Sequence, residues 1–187
     1  MIITIAGKPG SGKSTAAKML AQKLKLKHYS IGDLRRSWAA KQGMTLAEFN
    51  KKAESEPKSD MDADAFQAEL GRTEDNFIID SRLGFHFIPH SVKIFLDVSE
   101  EEGALRIMNE KRRLEQFASM AEAKRLWRAR QESDRKRYRK YYKLDPFDLR
   151  QYDLVVDTTT HQPEDTVKEI SAFLKAKNAP SRHKGLP

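Results

Sequence analysis

Cysteine is absent from this sequence of 187 residues. Its absence excludes disulfide bonds, thiolate metal sites and a cysteine nucleophile, and it fits a reducing compartment. No apolar run approaches the roughly 18 residues that a membrane span requires, and the apolar run at the start is too short for a signal peptide. The five histidines are scattered without the spacing of metal ligands, and we assign none of them to a site. We therefore expect a cytoplasmic protein without a membrane partner.

Positive charge is abundant but unevenly distributed. The formal net charge is +8, and residues 111–143 hold 13 Lys and Arg against 4 Asp and Glu. The basic character therefore belongs to one block of the chain. Apolar residues make up 39 % of the sequence, which is enough for one compact domain with small insertions, and we expect a monomer.

The main motif is a phosphate-binding loop (P-loop), residues 7–15, with Gly7, four residues, Gly12, Lys13 and Ser14 in sequence. Glycines allow backbone N–H groups to converge on phosphate oxygens, Lys13 reaches the outer phosphates, and the Ser14 hydroxyl can bind Mg²⁺. The motif lies between an apolar strand pattern at residues 1–6 and a helical pattern at 15–24, as a true P-loop requires. The residues predicted to bind ATP are Gly7, Pro9, Gly10, Ser11, Gly12, Lys13, Ser14 and Thr15.

The remaining pattern alternates strands and helices. Further strands are predicted at residues 27–30, 76–80, 92–98 and 154–157. Five strands alternating with helices predict an α/β protein of the P-loop NTPase type, with three layers (α/β/α) around a five-stranded parallel sheet. The predicted helices are at residues 34–41, from Thr45, at 59–70 with Gly71 as terminator, 100–111, 119–142 and 163–176, before a flexible tail at 177–187.

Ligands of such sheets bind beyond the carboxyl ends of the strands. This rule places Ser30, Asp80 and Arg82 beside the P-loop. Asp80 has two interpretations, since it can hold Mg²⁺ through water together with Ser14, or it can cap a loop.

Several segments resemble the nucleoside monophosphate kinases, and among them the short archaeal-like cytidylate kinases. The resemblance covers residues 1 to about 175 and includes the P-loop, Ser30-x-Gly32-x-x-x-Arg36, residues 43–49, Asp60 and Asp64, residues 80–84, Arg130-x-x-Ser133-Asp134-x-x-Arg137-Tyr138, and residues 152–158. It implies a core domain at 1–31, 73–110 and 144–176, a helical insertion at 32–72 that binds the nucleoside monophosphate (NMP), and a basic helical lid at 111–143.

The resemblance also implies the reaction, in which the γ-phosphoryl group of ATP is transferred to an NMP. CMP or dCMP is the favoured acceptor, and Mg²⁺ is the expected cofactor. Arg36 and Arg82 would hold the acceptor phosphate with Ser30 and Gly32, while Arg130 and Arg137 close from the lid over the transferring group. A guanidinium suits this task because it bridges two phosphate oxygens and keeps its proton. The catalytic residues predicted in this way are Lys13, Arg82, Arg130 and Arg137.

Cytosine presents an amine donor beside two acceptors, so its pocket needs a carboxylate together with an arginine or an amide. Asp60, Asp64 and Gln67 share one face of a predicted helix and can supply these groups. An exposed, solvated acidic helix is the alternative. The chain departs from the family pattern after the second Asp, where Ala65 and Phe66 replace basic residues, and this puts the base specificity in doubt.

Two other functions fit parts of the sequence. A P-loop kinase for another NMP, or for an alcohol such as shikimate, would need Asp33 or Asp80 as a base if the acceptor were an alcohol. An RNA-associated ATP-binding module would use the basic helix on phosphates. We do not expect nucleic acid as a partner, because the chain lacks the interleaved aromatic and basic pattern that stacks bases.

The P-loop interpretation predicts that Lys13→Ala abolishes turnover, because the variant loses the cation that reaches the outer phosphates of ATP. ADP release in a coupled assay measures this loss. Turnover at the level of the unmodified protein would contradict the assignment of residues 7–15 as the donor site.

Overall fold

The computed structural model describes residues 1–56, 58–109 and 119–178. Five strands are described: β1 (Ile2–Gly7), β2 (Lys27–Ser30), β3 (Phe77–Asp80), β4 (Val92–Asp97) and β5 (Leu154–Asp157). The described helices are α1 (Lys13–Leu24), α2 (Ile31–Lys41), α3 (Leu46–Ala53), α4 (Lys58–Thr73), α5 (Gly84–Phe87), α6 (Glu100–Asn109), α7 (Met120–Tyr142) and α8 (Pro163–Asn178), with a short 3₁₀ helix at Leu149–Gln151.

The five strands form one parallel sheet in the order β2-β3-β1-β4-β5. Parallel strands need long crossover connections, and helices supply them here. The sequence-based prediction of a five-stranded parallel sheet is confirmed. All five strands point their carboxyl ends to the same edge, so the P-loop after β1 lies next to Asp80 at the end of β3.

The central strands β1 and β3 are buried on both faces because helices cover both sides of the sheet. On one side, Ile3, Ile5 and Ile78 pack with residues of α1 and α8. On the other side, Phe77 and Ile79 pack with residues of α2 and α4. The alternation of these side chains along β1 and β3 is the ordinary two-residue period of a strand.

The helical block between β2 and β3 contains α2, α3 and α4 and, among its described residues, no strand. Its helix α3 begins with a complete capping box, in which Thr45 and Glu48 each bond the other's backbone N–H. Ser99 and Ser119 each accept one backbone N–H at the starts of α6 and α7. The first part of the predicted lid, residues 111–118, and most of the predicted tail lie outside the described residues.

Two helix boundaries differ from the prediction. Helix α2 begins at Ile31, because Ser30 is its N-cap and accepts the N–H of Asp33 at 3.2 Å. Helix α4 continues to Thr73, so the prediction that Gly71 ends it is wrong. Gly71 lies where α4 passes Ile88, and a Cβ at this position would be 2.9 Å from both γ-carbons of Ile88. Close packing, and not a turn, explains this glycine.

No helix among the described residues has both the length and the apolar composition of a membrane span.

Gly71→Ala is expected to destabilise the fold. Alanine favours a helix by about 1 kcal/mol over glycine, but Ile88 is fully buried and has little room to move away from a new methyl group. Overpacking of this kind costs about 1–3 kcal/mol. Urea unfolding measures the net loss of unfolding free energy, and Ala68→Gly at an exposed position of the same helix calibrates the helix propensity alone. A Gly71→Ala protein more stable than the unmodified one would contradict the packing explanation.

Candidate active site

A cavity of about 580 Å³ opens at the carboxyl edge of the sheet. The P-loop, α2, α3, α4, the segment after β3, α6 and α7 all contribute to its wall. Eight Lys and Arg line it against five Asp and Glu, so its charge favours a polyanion. The cavity brings most of the predicted donor and acceptor residues to one place, but Gly7 and Ser30 are not in its wall.

The P-loop forms one wall, and its residues 8–15 all line the cavity. Gly10 and Gly12 both have φ of 75°, a left-handed conformation that glycine adopts without steric cost. A Cβ on Gly12 would meet nothing within 4 Å, so the loop is open to the cavity at this point. Gly12 also precedes α1 without a side-chain cap, which leaves N–H groups of the first turn for an anion.

Asp80 ends β3 and is completely buried. Its Oδ1 accepts from the Lys13 ammonium at 2.6 Å and from the hydroxyls of Ser14 and Ser30 at 3.2 Å each. Its Oδ2 lies 3.0 Å from Nε2 of His28. One carboxylate therefore connects β2, β3 and the P-loop.

Electrostatics keep this group ionised. Burial by itself raises the pKa of Asp80, but the Lys13 ammonium and the bond from His28 outweigh it and hold the pKa well below its usual range. Burial, together with the nearby guanidinium groups of Arg82 and Arg36, lowers the pKa of Lys13 despite its contact with Asp80. A carboxylate and a hydroxyl are the oxygen donors that Mg²⁺ takes in phosphotransferases, so Asp80 and Ser14 fit this ion.

A buried ion-pair network joins α2, α4 and α7. The Asp60 carboxylate accepts from Arg137 at 2.6 Å and from Arg35 at 2.5 Å, and all three side chains are buried. Arg137 also donates to Asp134 at 2.5 Å. The Nε of Arg137 is buried without a hydrogen-bond partner in the described part of the chain. One N–H of this guanidinium therefore remains for a further acceptor.

Arg82 lies two residues after the end of β3 and extends this network to the P-loop. Its Nε donates to Asp134 at 2.8 Å, and its Nη1 donates to the carbonyl of Gly7. Asp134 thus lies between Arg82 and Arg137. Burial raises its pKa, but these two guanidinium groups hold it below the usual range, so Asp134 is a carboxylate.

The acidic face of α4 lines the cavity, as the spacing of Asp60, Asp64 and Gln67 predicts. All three are buried, so the alternative of an exposed, solvated helix face is wrong. Asp64 accepts from the Tyr142 hydroxyl and, at 3.0 Å, from the amide of Gln67. Burial raises the pKa of Asp64 to about 6 despite the bond from Tyr142.

The other predicted residues occupy different positions. Arg36 and Gly32 line the cavity, and Arg36 pairs with Asp33 on α2. Arg130 also lines the cavity. Ser30 is not in the cavity wall and uses its hydroxyl at the start of α2 and on Asp80.

Sequence reasoning missed Arg35 and His28. Arg35 lies on the buried face of α2 with Ile31 and Ala39, at intervals of four residues. This helical period would have revealed it, had the helix been predicted to begin at Ile31. No local pattern marks His28, which meets Asp80 only because β2 pairs with β3.

Asp64 gives the fold a measurable pH dependence. Its pKa in the folded protein, about 6, exceeds the ordinary value of 3.8. Its contribution to stability is therefore present below pH 3.8 and is lost as the pH rises through about 6. The Asp64→Asn variant lacks this titrating group and does not lose that stability. Its unfolding free energy minus that of the unmodified protein should therefore rise by on the order of 2–3 kcal/mol between pH 4 and pH 7.

Urea unfolding at a series of pH values measures this difference. Asp62→Asn is the matched control, because Asp62 lies on the exposed side of the same helix. Parallel pH profiles of the Asp64→Asn and unmodified proteins would show that burial does not raise the pKa of Asp64.

Comparisons with known proteins assign the sequence to one family. A family model described as the cytidylate kinase-like family matches residues 2–160. A cytidylate kinase of Sulfurisphaera tokodaii is 38 % identical over 190 residues, covering 98 % of this chain and 100 % of that protein. A cytidylate kinase of Halobacterium salinarum is 40 % identical over 172 residues, covering 91 % of this chain and 86 % of that protein.

Solved structures support the fold. A shikimate kinase from Bacteroides thetaiotaomicron superposes with a TM-score of 0.64 at 17 % identity, covering 94 % of this chain and 98 % of that one. At this identity the likeness concerns the three-layer architecture alone. The family model and the two relatives extend over most of the sequence, and they show that this chain belongs to the cytidylate kinase-like family.

Proposed function

We propose that this protein transfers the γ-phosphoryl group of ATP to CMP or dCMP, giving ADP and CDP or dCDP. The observation that carries the proposal is that one cavity is lined by the P-loop and by the acidic face of α4, with arginines between them. Two phosphate-bearing substrates can thus meet in it. The cytidylate kinases among its relatives support the choice of acceptor.

The donor half is the P-loop. Its N–H groups and Lys13 would bind the phosphates of ATP. The Ser11 hydroxyl is buried without a hydrogen-bond partner in the described part of the chain and would donate to a phosphate oxygen. Ser14 and Asp80 would hold Mg²⁺, directly or through water. When bound, this ion neutralises charge on the phosphates as they approach the acceptor.

The acceptor half contains the arginines. Arg36 and Arg82 would hold the acceptor phosphate, while Arg130 and Arg137 of α7 stabilise the charge on the transferring group. The acceptor oxygen is already ionised near neutral pH, so the reaction requires no strong base. Catalysis therefore consists of positioning and of charge neutralisation by residues whose own ion pairs hold them in place.

The base would contact α4. Asp60 is already bonded to two arginines, so Asp64 and Gln67 are the better partners for the cytosine edge. The Asp64 carboxylate would accept from the exocyclic amine, and the Gln67 amide would donate to a ring acceptor in exchange for its 3.3 Å bond to the Ala63 carbonyl. Uracil has a carbonyl oxygen in place of the amine, so it would present an acceptor to the buried carboxylate.

The proposal also includes the division of the chain. Residues 32–72 would form the NMP-binding insertion and residues 111–143 the lid, on the core at 1–31, 73–110 and 144–176. Ser133 and Lys136 of α7 donate to the Glu54 carboxylate, which follows α3, at 2.9 and 2.8 Å. These bonds connect the described part of the lid to the insertion. The proposal also includes a cytoplasmic monomer, because its nucleotide substrates are found inside the cell.

Two observations weaken the alternatives. An alcohol acceptor would need a base, and Asp80 has a pKa held well below its usual range by Lys13 and His28 despite its burial. An RNA partner would need free basic side chains on α7, yet Lys124, Arg128 and Lys136 are paired with acidic residues.

An acceptor panel tests the proposal. The purified protein is incubated with ATP and Mg²⁺ and with CMP, dCMP, UMP, AMP or shikimate, and ADP release is measured, with Lys13→Ala as the control for contaminating kinases. CMP or dCMP should give the highest kcat/KM, with UMP at least about tenfold lower because the 4-carbonyl oxygen of uracil would face the Asp64 carboxylate, acceptor against acceptor. A preference for AMP or shikimate would contradict the choice of acceptor. If no acceptor gives ADP above the blank while RNA is retarded on a gel at moderate salt, the kinase proposal fails.

A further inference from the structure

Trp127 of α7 contacts the backbone of the P-loop. Its indole N–H donates to the carbonyl of Pro9 at 2.8 Å, and the side chain is 6 % exposed. The ring also packs against Ala104, Ile107 and Ala123. A buried indole N–H needs an acceptor, and here that acceptor is a carbonyl of the P-loop.

The bond controls the direction of a phosphate-binding group. No peptide bond among the described residues is cis, so the N–H of Gly10 points opposite to the carbonyl of Pro9. Holding that carbonyl toward Trp127 therefore holds the Gly10 N–H away from it. Gly10 has φ of 75°, and glycine backbone rotates easily when nothing restrains it. The indole restrains the carbonyl of Pro9 directly, while the bond from Arg106 at 3.5 Å acts on the next carbonyl, that of Gly10.

The surroundings are too close for side chains. A Cβ on Gly103 of α6 would lie 2.5 Å from the indole nitrogen of Trp127 and 3.0 Å from the carbonyl oxygen of Pro9. A Cβ on Gly10 would lie 2.3 Å from the carbonyl oxygen of Gly103. The P-loop and α6 thus meet backbone to backbone, and the Trp127 indole of α7 reaches their junction as a polar side chain.

We propose that Trp127 is a positioning residue for the donor site, which holds the Pro9–Gly10 peptide in the orientation that binds the phosphates of ATP. The proposal rests on the proposed function and deepens it, since it links the lid helix to donor binding through one hydrogen bond. It does not involve stacking of Trp127 on a nucleotide base.

Trp127→Phe tests it, because phenylalanine keeps an aromatic ring but has no N–H. The KM for ATP should rise about fivefold, the factor that one net hydrogen bond corresponds to, while the KM for CMP changes by less than twofold. Trp38→Phe is the matched control, since Trp38 of α2 packs against the core between α2, α4 and the sheet and does not line the cavity. A purely structural role would lower thermal stability and leave the two KM values equally affected or unchanged, and either result would overturn the proposal.

A second measurement does not require the Trp127 variant to fold. The chain has two tryptophans, so the Trp38→Phe variant contains Trp127 as its single tryptophan. Its fluorescence should change on titration with ADP and not with CMP. An emission that ADP leaves unchanged would contradict the proposal. Unmodified protein that does not phosphorylate CMP would instead contradict the proposed function, so the two failures are distinguishable.

Discussion

The Asp60 carboxylate is the group on which the arrangement of the site depends most. It lies buried between Arg35 of α2 and Arg137 of α7. Removing one partner of a buried ion pair typically costs about 3–5 kcal/mol, because the remaining charge is left in a medium of low dielectric constant. Each member of this network therefore requires the others, and helices from separate parts of the sequence are held around one cavity.

A similar constraint acts at the edge of the sheet. Asp80 is fully buried and receives bonds from the P-loop and from β2. Asp80 pairs with Lys13, and Asp60 pairs with Arg35 and Arg137. The cations that would bind phosphates in this cavity are already held in place by these ion pairs. Little reorganisation then remains for the reaction itself, which is the condition under which electrostatic stabilisation is most effective.

Much of this could be predicted from the sequence. The P-loop, all five strands and the long helix α7 follow from local patterns, and the shared face of Asp60, Asp64 and Gln67 follows from helical spacing. Gly71 was misinterpreted, because a glycine that ends a helix and one that admits a neighbouring side chain look the same in sequence. Arg35 was missed because its role depends on where α2 begins, which the Ser30 cap decides.

Local information thus determined the elements of this protein and the chemistry of its donor loop, since strand periodicity, glycine conformation and the P-loop spacing act over a few residues. Only the tertiary structure decided which charges pair. His28 meets Asp80 through strand pairing, Arg137 meets Asp60 across 77 positions, and Trp127 meets Pro9 across 118. The physical reason is that burial makes these contacts strong, and burial depends on how the helices and the sheet pack together.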